Sequence, residues 1–456
     1  MSAAPVRDAP DSPVGEPHPS QFALMRQRRF APFFWTQFAG AANDNLFKFA
    51  FTVMVTYQLQ LAWLPPALAG LVIGAVFILP FVLFSATSGQ LADKFEKSQQ
   101  MRALKNLELA IMAVAAVAFL LPTPNLQAAL LLICTFLMGL QSTVFGPLKY
   151  ALLPQVLKER ELTGGNGLVE MGTFVAILVG NVVGGVLISL PGVGPIAVAA
   201  GCLLTALLGR LAVQFVPVLP ATDPGLTINW NPFSETWRNL RLARADGVVY
   251  TTLLGISWLW FFGAVFLSQF PVFAKEVLHG RESVASLMLV VFSLGIAGGS
   301  LLCGRLSRGQ VEIALVPLGA LGMTLFTLDL YWACKDLPAS DLLGAWAFLA
   351  QPAHWRILAD LGLLSASAGL FSVPLYALMQ LRSPATHRAR LVAANNILNA
   401  LFMIASSLLA GALLSAGLNI PELFLVLGLA NLAMLAWLCV RMPEMVQRLG
   451  RWWRGG

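Results

Sequence analysis

The chain has 456 residues and a net charge of +7, with 57% hydrophobic and only 11% charged residues and a mean hydropathy of +0.75. A soluble domain carries about 25% charged residues, so a dissolved enzyme, a disordered chain and a disulfide scaffold are excluded. The apolar residues fall in long runs, not alternating short ones, which points to a bundle of membrane-spanning helices and away from a barrel.

In chain order, residues 1–25 read as a disordered tail, since the Pro- and Asp-rich start has no apolar core of a signal peptide. Apolar stretches of about 20 residues, long enough to cross a bilayer, then follow. They fall near 33–58, 66–88, 104–122, 126–148, 167–190, 193–217, 247–274, 284–304, 311–334, 357–381, 391–416 and 420–440, twelve in all. The longest polar connection, 218–246, divides them into two six-helix halves, 26–217 and 247–441. Residues 335–356 read as an interfacial segment and 442–456 as a basic tail. An all-α protein of twelve spans split six and six has the layout of the major facilitator superfamily.

Lys and Arg set the orientation. With the N-terminus inside, 23 of the 29 lie on inner segments and 4 on outer ones, so both termini are expected in the cytoplasm. That placement accounts for the positive charge through anionic lipid, without nucleic acid. The five cysteines are scattered without a CxxC and read as small apolar residues, so no metal or other cofactor is expected. All four histidines fall outside the spans, which argues against a histidine proton relay.

Two patterns speak for related halves. Gly89-Gln-Leu-Ala-Asp93-Lys94 stands between spans 2 and 3, and Gly299-Ser-Leu-Leu-Cys-Gly304-Arg305 at the equivalent place between spans 8 and 9. The first resembles the superfamily's cytoplasmic loop motif, and the second is a copy without the Asp. The resemblance implies that Asp93 meets the N-terminal end of span 11 near Arg390, making Gly89, Asp93, Lys94, Arg305 and Arg390 gate candidates; the plain alternative is a solvated basic loop. Small-xxx-small pairs at Gly70/Gly74, Gly180/Gly184, Gly295/Gly299 and Ser407/Gly411 are expected where spans 2 and 11, and 5 and 8, meet across the halves.

A charge in mid-membrane costs at least about 2.5–3.5 kcal/mol, so each one wants a reason. Glu108, Glu170, Asp329, Asp360 and Arg210 fall near span ends, where they could snorkel or pair. Asp44 is different: about eleven residues into span 1, it is roughly 16 Å deep. Lys48 follows at i+4 on the same face. The pair is either a self-neutralised structural contact or a site for a zwitterion, Asp44 taking an ammonium and Lys48 a phosphate. Asn45, Gln141, Ser142, Trp258, Tyr376, Gln380, Asn395 and Asn399 are further candidates on spans that line the cavity in such a fold; for each, interhelical bonding is an equal alternative.

A closer resemblance rests on Phe34-Trp-Thr-Gln37-Phe-Ala-Gly40-Ala-Ala-Asn43-Asp44-Asn45-Leu-Phe-Lys48, on Gly139-Leu-Gln141-Ser142-Thr-Val-Phe145-Gly146-Pro147-Leu-Lys149-Tyr150, on Gly255-Ile-Ser257-Trp258 and on Arg388-Ala-Arg390-Leu-Val-Ala-Ala-Asn395-Asn396-Ile-Leu-Asn399. These runs resemble the bacterial lysophospholipid transporter family, and the transporter-like domain fused to some acyltransferases. The resemblance implies a flippase of the inner membrane, carrying lysophosphatidylethanolamine and related lysolipids from outer to inner leaflet by alternating access. It implies a separate acyltransferase as the consumer. A monomer is expected, and an enzyme is not, since no nucleophile–base pair, metal cluster or phosphate loop is visible in the sequence. The competing reading is a proton-coupled exporter of amphipathic molecules; a non-transporting scaffold is a third.

Overall fold

The computed structural model describes residues 20–59, 61–64, 69–307, 310–335, 337 and 341–453. Its helices are α1 (Ala31–Tyr57), α2 (Ala69–Lys94), α3 (Lys97–Phe119), α4 (Pro124–Val156), α5 (Glu159–Ile188), α6 (Gly194–Val213), α7 (Pro232–Ala245), α8 (Gly247–Val272), α9 (Glu282–Leu306), α10 (Leu315–Cys334), α11 (Ala345–Leu349), α12 (Trp355–Arg382), α13 (Arg388–Ser415), α14 (Ile420–Arg441) and α15 (Pro443–Trp453). Ten of them are long and apolar enough to cross a membrane. The other two long helices are α1 and α3, of 27 and 23 residues, whose apolar runs are broken by charge. Together they make the twelve spans; α7, α11 and α15 are short additions.

The halves repeat one packing scheme. In the first, α1 packs on α5, α2 on α4, and α3 on α6 and α4. In the second, α8 packs on α13, α9 on α12, and α10 on α14 and α12. Across the halves, α2 meets α13 and α5 meets α9.

The small-residue pairs do not make those crossings. On α5, Gly172, Ala176, Gly180 and Gly184 form a stripe against α1, inside the first half. A Cβ on Gly184 would sit 2.5 Å from the Leu46 carbonyl oxygen. On α9, Gly299 abuts the Ala366 backbone of α12, inside the second half. Gly74 and Gly411 face open space. The physical reason is that these small residues let α1 and α5, and α9 and α12, approach to backbone contact within one half. Gly184→Val is therefore expected to loosen the first half, costing about 1–3 kcal/mol by overpacking. Thermal unfolding of the purified protein reads this as a lowered midpoint.

Among the described residues the halves are joined toward one end, the end holding Lys94, Arg244 and Arg388, here called the basic end. There a Cβ on Gly89 would lie 2.7 Å from the Ala393 Cβ, and one on Gly167 2.5 Å from the Ser300 carbonyl oxygen. Every hydrogen bond, ion pair and ring stack joining the halves among the described residues lies in the part of the bundle toward this end.

Three connecting segments carry more structure than the sequence implies. In the tail, Gln21–Arg26 form a 3-10 turn whose Gln21 Nε2 donates to the Leu301 carbonyl at 2.9 Å; residues 1–19 lie outside the described residues. The central linker folds back under the basic end and forms α7. The outer segment returns along the 279–281 loop, with Leu343 N donating to His279 O at 2.8 Å and Arg281 N to Leu343 O at 2.8 Å. Phe348 is buried and stacks on His354, while Trp346 is 86% exposed, as an interfacial residue would be. Residues 336 and 338–340 of this segment lie outside the described residues.

Candidate functional site

A cavity of about 320 Å³ lies between the halves, beyond the contacts of the basic end. Its chemistry starts on α1. Asp44, at the midpoint of the helix, and Lys48, one turn later, both line the cavity. They do not form a direct ion pair. Asp44 Oδ2 accepts from Ser142 Oγ of α4 at 2.6 Å, and Asp44 Oδ1 is buried without a partner. Lys48 Nζ rests 3.8 Å from the centre of the Phe77 ring, a cation–π contact that leaves its donors available.

Four more charges lie close by, and the sequence reading places them elsewhere. The 23 inner-segment cations counted there include Lys105 and Lys149, and Glu108 and Glu170 are read there as span-end groups able to snorkel. Instead Lys105 and Glu108 form an ion pair at 2.6 Å with side chains 1% and 0% exposed. Asn43 Nδ2 and Gln141 Nε2 donate to the same carboxylate at 3.0 and 3.3 Å. Gly40 makes room for Lys105, because a Cβ there would lie 2.6 Å from its Nζ. Lys149 Nζ donates to Thr173 Oγ1 at 2.8 Å, and Tyr150 OH donates to Glu170 Oε1 at 2.5 Å. Snorkelling fails because α3, α4 and α5 continue a further turn or more toward the basic end, so these groups sit inside the bundle. Their signal in the sequence was the i, i+3 spacing of Lys105 and Glu108, and a Lys–Tyr pair just past Gly146-Pro147.

All five charged lining groups, Asp44, Lys48, Lys105, Lys149 and Glu170, come from the first half. The second half lines the cavity with Trp260, Tyr376, Asn396, Asn399, Ala400 and Met403, none of them charged. Trp260 Nε1 donates to Tyr376 OH at 3.2 Å, and Tyr376 stacks on Tyr150 with ring centres 4.6 Å apart, closing the floor. A third wall is apolar: Phe77, Ile78 and Phe81 of α2 with Ala400 and Met403 of α13. This wall faces the seam between α2 and α13.

Of the binding candidates, Asp44, Lys48, Asn45, Gln141, Ser142, Tyr376 and Asn399 line the cavity. Three do not. Trp258 turns into the second half, where its Nε1 donates to Asn431 Oδ1 of α14 at 2.8 Å; its neighbour Trp260, two residues on, takes the lining position. Gln380 is bonded reciprocally to Asn166 at 2.7 and 3.0 Å, below the floor, and clasps the halves. Asn395 is buried, one turn before the lining residue Asn399 and outside the lining itself. For Trp258 a face offset of two residues decided the matter; Gln380 and Asn395 each stand one turn nearer the basic end than the lining residues Tyr376 and Asn399, and composition shows neither. Trp258→Phe is expected to leave transport largely intact while lowering stability by about 1–3 kcal/mol through the Asn431 Oδ1 it leaves without a donor. Parallel uptake and thermal-melt measurements check it.

Of the gate candidates, three come together. Asp93 Oδ1 accepts from Ala389 N at 3.2 Å, Asp93 Oδ2 from Arg390 N at 3.4 Å, and the Arg390 Nε–Asp93 ion pair measures 3.1 Å. The carboxylate thus meets the first turn of α13, where free N–H groups and the helix dipole favour an anion. Arg390 Nη2 also reaches Asp223 of the linker at 3.0 Å, and Gly89 lets the backbones close. Lys94 and Arg305 form no ion pair among the described residues. Arg308 lies outside them. The second copy of the motif has no acid, so nothing in it mirrors Asp93.

Two helical bundles joined at one end around a central polar cavity are the architecture of a membrane transporter. Residues 33–339 match the Major Facilitator Superfamily. Among solved structures, the chain is similar to a bacterial homologue of the iron transporter ferroportin in its outward-facing state, at TM-score 0.66 and 14% identity, covering 91% of this chain and 99% of that one. It is likewise similar to the transporter FucP in its outward conformation, at TM-score 0.66 and 15% identity, covering 90% and 98%. These two likenesses show the fold. Curated relatives are more particular. The protein named lysophospholipid transporter LplT of Pectobacterium carotovorum subsp. carotovorum is 30% identical over 359 residues, 77% of this chain and 77% of its own. That of Serratia proteamaculans is 28% identical over 358 residues, 76% and 78%. The chain belongs to the LplT family of the major facilitator superfamily, a multi-pass integral membrane protein.

Proposed function

We propose that this protein carries lysophospholipids, chiefly lysophosphatidylethanolamine, from the outer to the inner leaflet of a bacterial inner membrane. The observation that carries the reading is a cavity with a free carboxylate oxygen and a free ammonium beside an apolar wall. Asp44 Oδ1 would take the ammonium of the head group, and Lys48 the phosphate. The single acyl chain would leave past Phe77, Phe81 and Met403 through the α2–α13 seam into lipid. If the basic end is cytoplasmic, as the Lys and Arg distribution implies, the structure is closed inward and open outward, poised to load. Flow is downhill when a separate acyltransferase consumes the product, and a monomer suffices. The relatives named lysophospholipid transporter support this substrate class.

The unpartnered Asp44 oxygen also fits the runner-up, a proton-coupled exporter. Uptake of labelled lysophosphatidylethanolamine into proteoliposomes separates the two. Uptake without a proton gradient, absent from empty vesicles and from vesicles offered the diacyl lipid, supports the flippase. Uptake only with a gradient moves the reading to a coupled carrier, and no uptake leaves the family likeness guiding the fold alone.

A further inference from the structure

The linker helix α7 lies at the basic end, packed on α2, α8 and α13. Its inner face is conventional, with Glu235, Asn239 and Ala243 buried at i, i+4 and i+8. Its outer face is not what water would select. Trp230, just before the helix, is 71% exposed, Phe233 78% and Trp237 55%. Beyond these aromatics lie Arg238, Arg241 and Arg244, all exposed. The Arg241 and Arg244 guanidinium carbons stand 6.0 and 5.8 Å from the Trp237 ring centre, and Arg244 lies 5.4 Å from Tyr250.

The nearby acids are already engaged. Glu235 pairs with Arg238 at 3.5 Å, and Asp246 caps α8 by accepting from Val248 N and Val249 N. Arg241 and Arg244 have no acidic partner among the described residues. Two unpaired guanidinium groups held over an aromatic, next to exposed Trp and Phe at the depth of the helix ends, match an anionic phosphate at the bilayer surface. The aromatics suit the head-group layer, where amphipathic rings partition.

We infer that α7 is a seat for the phosphate head groups of anionic phospholipid, separate from the transport cavity. The seat is tied to the gate. Asn229, three residues before α7, exchanges two hydrogen bonds with Gln90, at 3.0 and 2.8 Å. Gln90 follows Gly89 on α2, three residues before Asp93. The same linker supplies Asp223 to Arg390. Lipid held on α7 therefore steadies the linker that braces the closed end.

The test is lipid retention by the intact protein, read by native mass spectrometry after incubation with equal phosphatidylglycerol and phosphatidylcholine. Wild type is expected to keep phosphatidylglycerol preferentially, and Arg241→Gln with Arg244→Gln to lose that preference on the order of tenfold. A double Arg→Lys variant at the same two positions should keep most of the preference, and Arg28→Gln all of it. In the double Gln variant, spin labels at Gln99 and Ala385 should show a larger open fraction at the basic end in phosphatidylglycerol bilayers. An unchanged preference in the double Gln variant overturns the inference. So does an equal loss in the Arg28→Gln control, which would mark a diffuse charge effect. The readout needs no transported substrate, so it stands or falls apart from the proposed activity.

Discussion

Asp44→Asn is expected to abolish uptake of lysophosphatidylethanolamine while the protein is still made and inserted. The amide has the shape of the carboxylate and can keep the Ser142 contact, which measures 2.6 Å. What disappears is the charge facing the cavity from the oxygen that has no partner. Removing one partner of a desolvated charge pair costs about 2–5 kcal/mol, which is at least about a thirtyfold loss. A lysolipid whose head group has a phosphate and no amine uses Lys48 alone, so its uptake by the variant should fall much less. That contrast separates binding from protonation: a carrier that protonates Asp44 would lose both substrates equally. Normal uptake of the amine lipid by Asp44→Asn would remove Asp44 from the site.

Asp93→Ala is the second large effect. Asp93 is fully buried and holds two backbone N–H groups of α13 and the Arg390 side chain. Breaking a buried pair by deleting one member costs about 3–5 kcal/mol, since the other charge is left uncompensated. Here the whole cost falls on the state in which the basic end is closed, because α2 and α13 touch through this contact. The equilibrium should move toward opening at that end by two orders of magnitude or more. Spin labels at Gln99 and Ala385, exposed on either side of the seam, should show a longer distance in the variant. Transport should collapse too, since a carrier that cannot close one end cannot alternate. An unchanged distance distribution would mean that the Asp93 contact does not hold the end closed and that closure rests on Gly89, Gly167 and the Asn166–Gln380 clasp.

The family was readable only through the resemblance of its motifs, whereas the fold was readable from the chain for a plain reason. Apolar runs of bilayer length can only be helices, and the six-plus-six spacing with a central basic linker leaves few architectures. The resemblance of the Gly89–Lys94 run to the superfamily motif implied that Asp93 meets the start of span 11, and the two lie together. The cavity was half legible. Asp44 stood out because no span end was near it. Lys105, Glu108, Lys149 and Glu170 did not, because a charge a few residues from a span boundary reads as a loop charge when the helix end is misplaced. The helices run on: α4 continues to Val156, eight residues past the expected end of its span, and α3 begins at Lys97, seven before. That carries Lys105 and Lys149 inside.

The sequence by itself determined the solvent, the number of spans, the split into halves and the one charge that needed a partner. These follow from transfer free energies and chain length, which are local and additive. Only the tertiary structure decided which faces look inward. Trp258 and Trp260 are two residues apart, yet one binds Asn431 of α14 and the other lines the cavity. Gly180 and Gly299 fit a pattern shared with interfaces between halves, yet both pack within one. Rotation of a helix about its axis is set by all its neighbours at once. No window of sequence contains them, so facing, and with it the membership of the site, was settled by packing.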